Sequence, residues 1–267
     1  MEILGYIGAV LMGLSLGLIG GGGSILTVPI LVYLFSVDAV LATAYSLFIV
    51  GLTALIGSFS HMRLGNVHWL TSLVFGIPSI AAVFLTRAYL VPALPDPLFS
   101  IGAAPVSKAL GILIFFALLM VAAAYSMIRK QKKAADTTTE EVKFNYPLIL
   151  AEGAVVGTIT GLVGAGGGFL IIPALVLLAK LPMKQAVGTS LIIIAAKSLI
   201  GFTGDLNGNE VIDWNFLLLF SAIAIAGIIV GSILSKRIPN EKLKPAFGWF
   251  VLVMGLYIIT RELSAMA

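Results

Sequence analysis

An all-α membrane protein made of two related halves is the fold class this sequence predicts, and three observations predict it. Only 10% of the 267 residues are charged and 60% are hydrophobic, with a mean hydropathy of +1.11; a soluble globular domain carries about 25% charged residues. Ala109 to Ile128 and Asn215 to Ser235 are apolar runs without a charge. Each is long enough to cross a hydrocarbon core of roughly 30 Å as a helix of about 20 residues. Finally, Gly17-Leu-Ile-Gly-Gly-Gly-Gly-Ser-Ile-Leu-Thr-Val-Pro29 aligns without gaps to Gly161-Leu-Val-Gly-Ala-Gly-Gly-Gly-Phe-Leu-Ile-Ile-Pro173, 144 residues on.

The same offset carries Leu31, Val32, Leu34, Ala42, Ser46 and Leu47 onto Leu175, Val176, Leu178, Ala186, Ser190 and Leu191. A membrane β-barrel would need segments of about 10 residues alternating apolar and polar, and Leu191-Ile-Ile-Ile-Ala-Ala is uniformly apolar instead. Residues 1–128 form the first transmembrane repeat, 129–145 a basic linker too polar to span, and 146–267 the second repeat. The first repeat divides into Ile3 to Gly20, Ile25 to Phe35, Ala39 to Ser58, Val67 to Thr86 and Lys108 to Ile128. The second divides into Tyr146 to Val163, Phe169 to Ala179, Lys184 to Thr203, Asn215 to Ser235 and Pro245 to Thr260. The second segment of each set has about eleven residues, roughly 16 Å at 1.5 Å per residue. The glycine run before it should break the helix. The first segment, lacking a basic leader before it, is expected to stay in the mature chain.

Charge decides whether each break turns the chain back. Lys and Arg collect in cytoplasmic loops. If both breaks reverse direction, the halves are inverted and one face gathers 12 basic residues against 4 acidic ones, while the other holds 3 basic against 7 acidic. Without reversal, the basic clusters 129–133 and 236–244 fall on opposite faces. Reversal is therefore expected, with re-entrant or short Gly-broken helices at the centre, the linker in the cytoplasm and both termini outside an inner membrane. Inverted repeats with interrupted helices point to a transporter's binding site, because irregular backbone at membrane depth persists only when protein buries it or it lines a wet cavity.

Several side chains could carry chemistry. The breaks Gly20 to Ser24 and Gly164 to Gly168 offer backbone N–H groups at the positive start of a short helix, which suits a small anion. Gly22, Gly23, Ser24, Gly166, Gly167 and Gly168 are the backbone candidates, and Ser24 could instead cap its helix. Gly13, Gly17, Gly153, Gly157 and Gly161 have the spacing of four that brings membrane helices together. Lys197 lies about fourteen residues into a membrane segment, where a lysine costs about 2.5–3.5 kcal/mol on insertion scales. An anionic substrate or Glu152 would offset that, whereas snorkelling to an interface would avoid it. Glu152 reads as a proton carrier, as the partner of Lys197, or as a headgroup-level residue six positions past Tyr146. Ser46, Thr189 and Ser190 offer hydroxyls to a substrate, or to their own helices.

Other classes are disfavoured. There is no cysteine, and the two histidines, His61 and His68, sit in one short polar stretch, so no cofactor or metal is expected. Gly13-Leu-Ser-Leu-Gly17 fits the nucleophile-elbow pattern, but that pattern needs a strand-turn-helix setting, so no enzyme is expected. Nucleic acid is not an expected partner despite a net charge of +4. A cation carrier would want several intramembrane carboxylates, and one is present. A non-transporting assembly subunit and a homodimer both remain compatible with the composition.

At the two Gly-rich breaks and at Ala186-Val-Gly-Thr-Ser-Leu191 the chain resembles the TauE/SafE family of sulfite exporters and permeases, over essentially its full length. Ala165, where the first half has Gly21, departs from the duplicated pattern. The resemblance implies passage of a small sulfur-containing or organic anion. The expected mechanism is alternating access at a midplane site, with Lys197 as countercharge. Export of a monovalent anion down an inside-negative potential would need no coupling ion; import would need one, with Glu152 or Asp205 as candidates for proton coupling.

Overall fold

The computed structural model describes residues 2–101, 104–128, 146–177, 179, 181–206, 212–235 and 240–266. The basic linker 129–145 and part of the 236–244 cluster lie outside them. Nearly everything described is helix: α1 (Glu2–Ile19), a 3-10 turn (Gly22–Leu26), α2 (Thr27–Leu34), α3 (Ala39–Arg63), α4 (Trp69–Leu85), a π-helical turn (Thr86–Leu90), α5 (Val91–Ala93), a small hairpin of β1 (Phe99–Ile101) and β2 (Ala104–Val106), and α6 (Lys108–Ile128). The second half holds α7 (Tyr146–Val163), α8 (Gly168–Leu177), α9 (Met183–Thr203), α10 (Trp214–Leu234) and α11 (Asn240–Met266). Among the described residues, six helices are long and apolar enough to cross a membrane, and the two segments Gly23–Leu34 and Pro147–Val163 are shorter apolar helices.

All ten expected segments are present, and the differences have local causes. Asp38 Oδ1 accepts from Val40 N at 2.8 Å and Leu41 N at 3.3 Å, which starts α3 where expected. His68 Nδ1 accepts from Thr71 N at 3.2 Å and starts α4 two residues late. Asp213 Oδ1 accepts from Phe216 N at 3.0 Å at the head of α10. Each is an N-cap, satisfying donors that have no partner inside the helix. Asp38→Ala should therefore cost about 1 kcal/mol of stability, seen as a small fall in the melting temperature in detergent. The paired strands β1 and β2 were not expected; they lie in the connection between the fourth and fifth segments.

Glycine contacts fix how the helices pack and which way they run. Gly13 meets the Ala224 carbonyl and Gly17 the Ile228 carbonyl, so α1 and α10 run parallel in close contact. Gly153, Gly157 and Gly161 meet Phe75, Ser79 and Thr86, so α7 and α4 do the same. These are the small-residue seams that bring membrane helices close, as the spacing indicated. A Leu at Gly157 would have to displace the Ser79 backbone; Gly157→Leu should cost at least the 1–3 kcal/mol typical of overpacking, detectable as loss of monodisperse protein on purification.

The α3 and α9 helices cross at the centre in opposite directions: Leu47 faces Gly201, Gly51 faces Leu199, Gly57 faces Leu191, and His61 faces Gly188. From the 3-10 turn through α2 to Phe35 the chain runs back along α1, with Gly23 against Met12 and Leu16, Ile30 against Gly8, and the Phe35 ring against Gly5. The pairings come in matched sets. The α1–α10 pair is matched by α7–α4, and α3–α10 by α9–α4, while α3–α9 and α6–α11 each join corresponding helices. The face where α1 begins is called the near face below, and the face where α7 begins the far face. Trp69 and Trp214, both exposed, are the first residues of α4 and α10, where aromatic side chains favour the membrane–water boundary.

Candidate functional site

Both breaks are buried at the centre of the molecule. The chain leaves α1 at Gly20 with φ 88° and leaves α7 at the corresponding Gly164 with φ 71°, a left-handed turn that residues with a Cβ rarely adopt. Gly166 and Gly167 repeat it at 62° and 63°. The two breaks touch: a Cβ on Gly21 would lie on the Gly168 backbone, and one on Gly168 would lie on Gly21. Gly22 opens the 3-10 turn and Gly23 packs on α1. Ala165 is buried without any such turn of its own.

The flanking helices each present one face to a break. On α3, Thr43 touches Gly164 and Val50 touches Gly166. Ser46 lies between them at helical spacing, fully buried, and its hydroxyl has no partner among the described residues. On α9, Val187 touches Gly20 and Ile194 touches Gly166 and Gly168. One turn beyond Ile194, Lys197 is fully buried and its Nζ donates to Thr160 Oγ1 at 2.9 Å. A Cβ on Gly167 would stand 2.7 Å from that same nitrogen. Lys197 thus lies against the second break, at the start of α8, rather than snorkelling to an interface.

The remaining sequence candidates are placed differently. Ser24 donates to the Gly21 carbonyl at 2.8 Å, within its own turn. Ser190 donates to the Val187 carbonyl at 2.8 Å. Thr189 turns away from the breaks; its hydroxyl accepts from His68 N at 3.0 Å and ties α9 to the start of α4. Glu152 does not meet Lys197: the lysine's bond goes to Thr160, eight residues further along α7, or about 12 Å at 1.5 Å per residue. Asp205 is engaged by Arg87, which directly follows the fourth expected segment and was not among the candidate residues. Arg87, only 1% exposed, donates through Nε to both carboxylate oxygens at 2.8 Å, and through Nη1 to Thr43 Oγ1 at 2.8 Å and the Gly161 carbonyl at 3.3 Å. Burial pushes the Asp205 carboxyl up and the guanidinium opposes that shift. Arg87 stands in the π-helical turn after α4, a departure from α-helix that often marks a functional position.

On the far face a cavity of about 460 Å³ opens, lined by Gly17, Ser60, His61, Lys184, Val187 and Ser232 among others. Val187 also touches Gly20, so this vestibule reaches down to the first break. Its polar lining is basic or neutral.

The sequence matches a known family. The family profile described as sulfite exporter TauE/SafE covers residues 6–258. The chain belongs to the TauE/SafE family. Among relatives, a probable membrane transporter protein of Xylella fastidiosa (strain 9a5c) is 29% identical over 260 residues, covering 96% of this chain and 94% of the relative. A probable membrane transporter protein of Methanocaldococcus jannaschii is 28% identical over 271 residues, 96% of this chain and 93% of the relative. A third, from Bacillus subtilis, is 26% identical over 249 residues, 93% of this chain and 96% of the relative. With its apolar helices, this TauE/SafE protein is a multi-pass membrane transporter.

Proposed function

We propose that this transporter moves a small sulfur-containing or organic oxyanion outward across a cell inner membrane, by alternating access around the crossed breaks. One observation carries the proposal: the fully buried amine of Lys197, pressed against glycine backbone at the start of a helix, with a neutral hydroxyl as its partner among the described residues. An unpaired buried charge is expensive, and the helix start adds positive potential rather than relieving it. A negative solute relieves both. Its oxygens would be held by Lys197, by N–H groups at Gly166 to Gly168 and Gly22 to Ser24, and by the Ser46 hydroxyl, which has no partner among the described residues.

The two halves would act as inverted repeats. The antiparallel crossing of the corresponding helices α3 and α9, and the return of α2 along α1, support that arrangement. An inside-negative potential contributes about 2.3 kcal/mol per charge per 100 mV, so a monovalent anion would leave without a coupling ion.

Thermal stabilisation of the purified protein tests the substrate class. Sulfite and methanesulfonate should raise the melting temperature, since a ligand at 100 times its Kd stabilises by about 2.7 kcal/mol. Equal ionic strength of choline chloride should not. Stabilisation by cations and by no oxyanion would contradict the proposal.

A further inference from the structure

The three groups that hold Arg87 are related by the repeat to three groups that line the far-face vestibule. Counting 144 residues carries Gly17 to Gly161, His61 to Asp205, and Thr43 to Val187. Gly17, His61 and Val187 line the open cavity. Gly161, Asp205 and Thr43 are the hydrogen-bond partners of the buried Arg87. The position corresponding to Arg87 itself is Gly231, which has no side chain to fill the equivalent space. One cleft is therefore open on the far face, and its counterpart on the near face is occupied by a guanidinium clasped to a carboxylate.

We infer that Arg87 is a second oxyanion site on the near-face side of the breaks, held shut by Asp205. The carboxylate occupies the guanidinium as a substrate oxyanion would, Oδ2 accepting from Nε at 2.8 Å and Oδ1 meeting Nη2 at 2.5 Å, the two-nitrogen fork in which arginine binds planar oxyanions best. Thr43 joins the two sites: its hydroxyl accepts from Arg87, and its backbone lies against Gly164 of the second break. An anion moving from Lys197 toward the near face would displace Asp205, so that opening the path and binding the solute are one exchange of partners. The turn carrying Arg87 is π-helical, and a one-residue adjustment there would move the guanidinium without unwinding α4.

The inference rests on the transporter proposal, but its test requires no flux. The chain has no cysteine, so a single Thr43→Cys reports access with a membrane-impermeant maleimide. Thr43 is fully buried, and Thr43→Cys alone should react slowly. Adding Asp205→Asn should raise the rate at least tenfold, and methanesulfonate, but not choline, should suppress that rise. Arg87→Gln should also expose the thiol, with no protection by methanesulfonate. Exchanging the charges, Arg87→Asp with Asp205→Arg, should restore slow labelling. An unchanged rate in both single-charge variants, or a rise in Asp205→Asn that methanesulfonate leaves intact, overturns the inference. Ser60→Cys in the vestibule is exposed and should label in every variant, which gives the reference rate; a cooperative melting transition and a monodisperse elution peak in detergent show that each variant is folded. Loss of flux in a Lys197 variant while Thr43→Cys stays protected would separate a failure here from a failure at the central site.

Discussion

Replacing Lys197 with alanine is expected to lower oxyanion flux in proteoliposomes by about two orders of magnitude, with little change in the fold. The effect should be large because, among the described residues, Lys197 is the one ionisable side chain against the second break, and removing one partner of a buried charge pair costs about 2–5 kcal/mol. Thermal stability should move the other way or hold, since the variant no longer buries an uncompensated cation. Lys197→Arg should recover part of the flux, retaining the charge but crowding Thr160 and Gly167. A Thr160→Val variant should cost less than tenfold, because Thr160 positions the ammonium and carries no charge. Undiminished flux in Lys197→Ala would remove this residue from the site.

Gly167→Val is the second change expected to have a large effect. The backbone there has φ 63°, and a left-handed conformation costs roughly 1–2 kcal/mol for a residue with a Cβ. The new side chain would also occupy the space shared by the Thr160 side chain and Lys197 Nζ. In the substrate-free protein some of this would be absorbed by the flexible lysine stem; in the loaded protein the side chain would stand where the anion's oxygens meet the backbone. Flux should fall at least tenfold, and anion-dependent thermal stabilisation should disappear together with it. Gly157→Leu, by contrast, should destabilise the protein whether or not an anion is present, so the pair separates a ligand site from a packing seam.

Much of the fold was legible because membrane helices announce themselves by composition, and the repeat could be read residue by residue from Gly17 to Pro29 against Gly161 to Pro173. The packing glycines were legible too, because a spacing of four has one steric use in lipid. Individual hydroxyls were harder. Ser46, Thr189 and Ser190 are alike in sequence, yet one has no partner among the described residues, one ties α9 to α4 and one bonds its own helix. Helical phase relative to the breaks decides among them. Thr43, Val50, Val187 and Ile194, which touch glycines, set that phase. Arg87 escaped notice for another reason. It follows an apolar run and reads as the charged end of a segment, whereas the π-helical turn continues the helix and draws it inward to Asp205, 118 residues away in sequence. A basic residue matched by a glycine in the other repeat was the available signal.

Anomalous diffraction from crystals grown with selenite in place of sulfite offers the most direct test of the central site. A selenium peak within hydrogen-bonding distance of Lys197 Nζ and of the Gly166 to Gly168 amides is the predicted result. Selenium found solely in the far-face vestibule or at the surface, with Lys197 still bonded to Thr160 and the two breaks in dry contact at saturating selenite, would contradict it.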